Sequence, residues 1–184
     1  MIYISKGTSK SSLRNPLKVT RCGKTVQLSG LQAELWRKGR YEFASAQTKA
    51  EEMALTSLSR AGLAEIQQES TATFRYYALT SCVLCPTQRP GIGLTTGEKE
   101  LLCWLKKAGL RMTVAELVYL RSRDIRPARK LLRARNRQAL VERIYNPHNI
   151  ADNLLEQQME SAGCRDEVVA DLLSLLRKKR LVLL

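Results

Sequence analysis

The sequence predicts an α+β chain, mainly helical, that carries a small β-hairpin. Three observations predict it. Threonine–glutamate pairs at capping-box spacing open three helices, at Thr48/Glu51, Thr95/Glu98 and Thr113/Glu116. Past Gly62 the apolar period changes from that of a helix to that of short strands, over Leu63–Gln67 and Thr73–Thr80, joined by the polar Gln68–Ala72. From Thr95 onward the pattern is almost wholly helical.

Taken in order, Met1–Ile4 reads as a strand followed by a polar, basic arm. Leu17–Leu28 reads as a strand region, a hairpin if Gly23 sits in its turn. Ser29 caps a helix over Leu31–Lys38, with Leu31 and Leu35 inward and Trp36 near the edge, and Gly39 stops it. Arg40–Ala46 reads as a short helix or turn, buried through Tyr41 and Phe43. The helix capped by Thr48 carries an apolar stripe of Ala50, Met53, Ala54, Leu58 and Ala61, and Gly62 stands where a C-capping glycine belongs.

Two prolines and two glycines in Pro86–Leu94 mark a linker. The expected organisation is therefore a domain over 1–85, a linker over 86–94 and a helical domain over 95–184. In the latter, Thr95 opens a helix to about Ala108 and Thr113 one to about Leu120. A basic helix runs from Pro127 toward Tyr145, and helices over 149–160 and 165–179 are divided by Ser161–Cys164. Leu181–Leu184 is a terminal strand or an apolar tail. Leu55, Leu58, Arg60 and Leu63 have an echo in Leu173, Leu176, Lys178 and Leu181, a sign of two related halves.

Charge bounds the partners. The 184 residues carry a formal net charge of +14, with 44% hydrophobic residues, enough for a real core. Such an excess favours a polyanion. It is also uneven: positions 1–33 hold no acid, Arg121–Arg137 is dense in arginine around Asp124 alone, and Arg177–Arg180 reads RKKR. Arg126, Lys130, Arg133 and Arg137 are spaced four, three and four apart and share a helical face, with Arg129 beside it. That row suits phosphate contacts. The RKKR run suits the C-terminal end of a helix, with backbone contact as its second reading.

No run approaches the 18 or so apolar residues of a membrane span, and the start lacks a secretory core, so a cytoplasmic location without membrane contact is expected. Cys82-x-x-Cys85 has no second close pair to complete a zinc site, the sole histidine, His148, follows Pro147 in a turn, and no phosphate loop or nucleophile motif occurs. The chain is thus expected to be no enzyme and to need no cofactor.

In element order the first domain resembles the winged helix-turn-helix family. Gln32–Arg37 matches the first helix, Arg40–Ala46 the short second one, Thr48–Ala61 the recognition helix and Leu63–Thr80 the wing. The second domain resembles a divergent winged helix or a helical domain enlarged by insertion. The resemblance implies Lys49, Thr56 and Arg60 as recognition-helix contacts and Arg75 as the wing's contact. Glu51 and Glu52, in the first turns of that helix, oppose phosphate. The expected function is double-stranded DNA binding in a regulatory or architectural role, with a homodimer or a protein partner compatible with paired modules. The alternative is a protein-interaction module of a nucleoprotein complex.

Overall fold

The computed structural model describes residues 1–9, 16–68, 72–89, 91–108, 112–127 and 154–184. The chain is α+β: six helices and small antiparallel sheets among the described residues. In order they are β1 (Ile2–Ser5), β2 (Leu17–Arg21), β3 (Lys24–Leu28), α1 (Gly30–Lys38), β4 (Ala44–Ser45), α2 (Lys49–Arg60), β5 (Ala64–Gln67), α3 (Ala72–Thr80), β6 (Leu84–Pro86), α4 (Thr96–Ala108), α5 (Val114–Ser122), α6 (Leu154–Arg177) and β7 (Leu181–Leu183).

Strand β1 organises the molecule. It lies between β4 and β5, antiparallel to both, with Tyr3 opposite Ala44 and Ile66. Successive side chains of a strand point to opposite faces, and here the two faces meet two different cores. Tyr3 packs with Leu17, Val19, Leu35, Trp36, Leu55 and Leu58. Ile4 packs with Phe74, Leu79, Trp104, Leu117, Leu172 and Leu176. The second core thus takes in Phe74–Leu84, which precedes the glycine- and proline-rich segment at 86–94. Gly39 lets α1 approach β1 closely: its carbonyl accepts from the Ser5 N–H at 2.8 Å, and a Cβ there would stand 2.5 Å from Tyr3 Cε2.

All three capping boxes form. Glu51, Glu98 and Glu116 each give their N–H to the preceding threonine hydroxyl at 3.2 Å, and their carboxylates accept from that threonine's N–H. Gly62, at φ +72°, closes α2 in a Schellman motif: the Leu63 N–H donates to Leu58 O and the Gly62 N–H to Ser59 O, each at 2.8 Å. The same motif closes α6, with Lys179 at φ +56° in the glycine's position and Arg180 donating to Leu175 O. A strand follows at once in both places, β5 and β7. The echo in the sequence is therefore geometrically real, but its register is one residue different: Leu58 corresponds to Leu175.

Several expectations are corrected. The segment expected as a returning strand, Thr73–Thr80, lies in helix α3. Phe74, Ala78 and Leu79 face the core at helical spacing while Tyr77 is 58% exposed, so packing overrides the strand preference of the aromatic residues. The partner of β5 is β1 instead. Of the two readings of Arg40–Ala46 the turn holds, leading into β4, and the short second helix of the resemblance is absent there. Trp36 is fully buried because its indole N–H donates to Lys6 O at 2.8 Å, whereas Leu31 is exposed. On α2 the buried positions are Leu55 and Leu58, so Ala50, Met53 and Ala61 lie outside the core. Helix α6 runs unbroken through Ser161–Cys164. Leu181–Leu183 is a strand, and its partner is β6, with Cys85 opposite Val182.

Candidate nucleic-acid interface

Helix α2 is held by its buried side. With about 100° per residue, Leu55 and Leu58 define the direction of the core, and Lys49, Met53, Thr56 and Arg60 fall within about 60° of one another on the opposite side. Lys49 and Arg60 are exposed and Thr56 is half-buried. The three residues expected at a recognition helix therefore share one outward face. The two acids expected to oppose phosphate stand differently. Glu51 turns back on the helix start and accepts from the Gln47 N–H at 2.7 Å and the Thr48 N–H at 3.0 Å. Those backbone hydrogen bonds hold its carboxyl below the ordinary glutamate pKa, so it stays ionised but tied to the helix's own N-terminus. Glu52 lies on the flank, about 60° from Lys49.

The hairpin β2–β3 stands at the other end of α2. Leu17 and Val19 point into the core and Lys18 faces out, while Cys22 and Gly23, at φ +47° and +81°, form its two-residue turn. Arg21 lies opposite Lys24 across that turn. The Arg21 guanidinium lies against Gly62, so that a side chain at Gly62 would collide with it. The basic hairpin tip is thereby placed beside the C-terminal end of α2, two residues past Arg60, where a cation also suits the helix dipole. The hairpin expected over Leu17–Leu28 with Gly23 in its turn forms, marked in the sequence by the alternation of Leu17, Val19, Val26 and Leu28; that its basic tip meets α2 was not legible.

The other expected contacts lie elsewhere. Arg75 is on α3, not on a wing strand. It lines a groove of about 460 Å³ with Glu42, Phe43, Asp166, Val169, Ala170, Leu173 and Arg177. Arg126 is exposed in an irregular segment after α5, not on a helical row. Arg129, Lys130, Arg133 and Arg137 lie outside the described residues. Arg121, at the start of the same basic stretch, faces inward: it donates to Asp171 Oδ2 at 2.9 Å and to Gly97 O at 3.0 Å.

The RKKR run is engaged in the fold. Lys178 bonds both carboxylate oxygens of Glu98 at 2.8 Å and the Gly93 carbonyl at 3.0 Å. Burial pushes the Glu98 pKa up, but hydrogen bonds from Lys178, Ser174 and the Thr95 backbone, with the Lys178 charge, outweigh it and hold the carboxyl below its ordinary value. Lys179 lies 5.4 Å from the Tyr41 ring, and Arg40 stacks between Tyr41 and Trp36 at 5.0 and 5.1 Å. These contacts tie the end of α6 to the 86–94 segment and to the turn after α1.

No protein-family model, curated protein or solved structure matches this chain. Among the described residues, no helix is long and apolar enough to cross a membrane, and no three His, Cys, Asp or Glu side chains gather where a metal could sit. Cys82 is buried, gives its thiol proton to Ala78 O, and has its pKa pushed by burial to about 11. It is an inert core residue rather than a nucleophile.

Proposed function

We propose that this chain is a winged-helix-like protein that binds double-stranded DNA, in a regulatory or architectural role, with α2 as the element presented to the duplex. One observation carries the reading: Lys49, Thr56 and Arg60 stand together on the side of α2 opposite its core, while Glu51 is drawn back into the cap. The hairpin supports it, since Arg21 brings the hairpin tip, with Lys24 opposite it, to the end of α2 that carries Arg60. In this reading Lys24, at the hairpin tip, contacts the sugar–phosphate backbone, the work the resemblance gave to a wing at Leu63–Thr80. Arg129, Lys130, Arg133 and Arg137 stay in the proposal as backbone contacts on the strength of their sequence spacing, and Arg126 on its exposure alone.

The chain acts here as a binding protein, not an enzyme, and requires no cofactor. The rival reading, a protein-interaction module, is favoured by the groove that holds Arg75 and Arg177 over Phe43, Val169 and Leu173. Titrating a labelled random-sequence duplex pool at low salt decides between them. DNA binding that weakens in the K49A/R60A variant is expected. A chain that leaves every duplex in the pool unbound is no DNA-binding protein.

A further inference from the structure

The outward face of α2 has an apolar centre. Met53 is 68% exposed, between Lys49 four residues before it and Arg60 seven residues after it. Single exposed apolar side chains are ordinary on protein surfaces, so exposure alone says little. The neighbours give it meaning. Thr56 Oγ donates to Glu52 O at 2.9 Å and Ser57 Oγ donates to Met53 O at 3.2 Å. Two of the three hydroxyls on this helix, those of Thr56 and Ser57, therefore spend their protons inside it. The middle of the face is left with a long thioether side chain and few polar groups to read base edges, and the cations stand at its two ends.

At 1.5 Å of rise per residue, Lys49 and Arg60 are about 16 Å apart along the axis. That span lets them reach phosphates on both sides of a major groove about 12 Å wide. Met53 then faces the groove floor, where the one apolar group any base presents is the C5-methyl of thymine. An unbranched, polarisable side chain adapts readily to such a group.

We infer that Met53 is a specificity-determining residue that reads a thymine through its C5-methyl group. This rests on the DNA-binding reading of α2, and the experiment separates the two. Preferred duplexes are first selected from a randomised pool with the wild-type chain. Each thymine of the selected site is then replaced in turn by deoxyuridine, which removes the methyl group and nothing else. One replacement is expected to weaken wild-type binding about fourfold, the equivalent of the ~0.8 kcal/mol of one buried carbon group. The same replacement is expected to leave the M53A variant's affinity unchanged, and that variant folds normally because the side chain is exposed.

A selected site without thymine overturns the inference while the DNA-binding reading stands. So does a deoxyuridine effect that is absent from the wild type or equal in wild type and M53A. A pool from which no duplex is selected overturns both.

Discussion

Replacing Lys178 by methionine keeps the side-chain stem and removes the charge that Glu98 faces. Glu98 is 1% exposed and both its oxygens accept from Lys178 Nζ at 2.8 Å. Removing one partner of a fully buried pair costs about 3–5 kcal/mol, because the other charge is left without compensation. The Lys178 side chain is 38% exposed, so water already screens part of the attraction, and about 2 kcal/mol is the expected loss at pH 7. For a chain of this size that lowers Tm by about 4–8 °C.

The pH dependence makes the prediction specific. In the wild type the Glu98 pKa is held below its ordinary value. The stability this confers is therefore present above the ordinary glutamate pKa and is lost as pH falls through the folded one. In K178M the hydrogen bonds and charge of Lys178 are gone while burial remains, so the pKa moves upward and the carboxyl takes up a proton in mild acid. The difference between wild type and variant must shrink as pH falls from 7 toward 4, and E98Q/K178M must be more stable than K178M at pH 7. Urea unfolding at several pH values measures this. A loss of equal size at pH 7 and pH 4, or none at pH 7, refutes the reasoning.

Other outcomes follow from the packing. Gly39→Ala is expected to cost about 1–3 kcal/mol in urea unfolding through overpacking against Tyr3, not through backbone strain, because Gly39 sits at φ −83°. An unchanged midpoint would mean that β1 and α1 do not meet so closely. Leu172→Ala, in the second core, should cost about 2–5 kcal/mol, while Met53→Ala should stay within about 0.5 kcal/mol of wild type; a large loss in M53A would place that side chain in the core after all. With the Cys82 pKa near 11, only about a thousandth of its thiol is ionised at pH 8. Mass mapping after brief iodoacetamide treatment should find exposed Cys22 labelled and Cys82 untouched, and early labelling of Cys82 would contradict its burial.

What could be read from the sequence divides along a physical line. Local signals were legible: the three threonine–glutamate boxes and the glycine closing α2 act within a few residues and form as expected. Signals that depend on distant partners were not. Phe74–Leu79 has the aromatic content of a strand, yet β1, some seventy residues earlier, already occupies the position beside β5, and the segment packs as a helix on α6. The local pattern of α2 admits Met53 or Leu55 as an inward position, and only packing against α1 and β5 selects Leu55. Of the proposed interface, the resemblance to the winged helix-turn-helix family implies Lys49, Thr56 and Arg60, and helical spacing then sets them on one face. The Arg21–Gly62 contact joins residues 41 positions apart and left no trace in the local pattern. The RKKR run stands at the C-terminal end of a helix as its charge suggests, but that Lys178, Lys179 and Arg180 meet Glu98, Gly93, Ile92 and Tyr41 depends on distant partners.

The salt dependence of duplex binding tests the central claim most directly. Each phosphate neutralised adds about 0.9 to the negative slope of log affinity against log salt. Anisotropy titrations of a selected duplex, for wild type and K49A/R60A in parallel, read that slope. A steep wild-type slope that falls by about 1.8 in the variant is the predicted result. Equal slopes for the two proteins would contradict the assignment of α2 as the element that meets DNA.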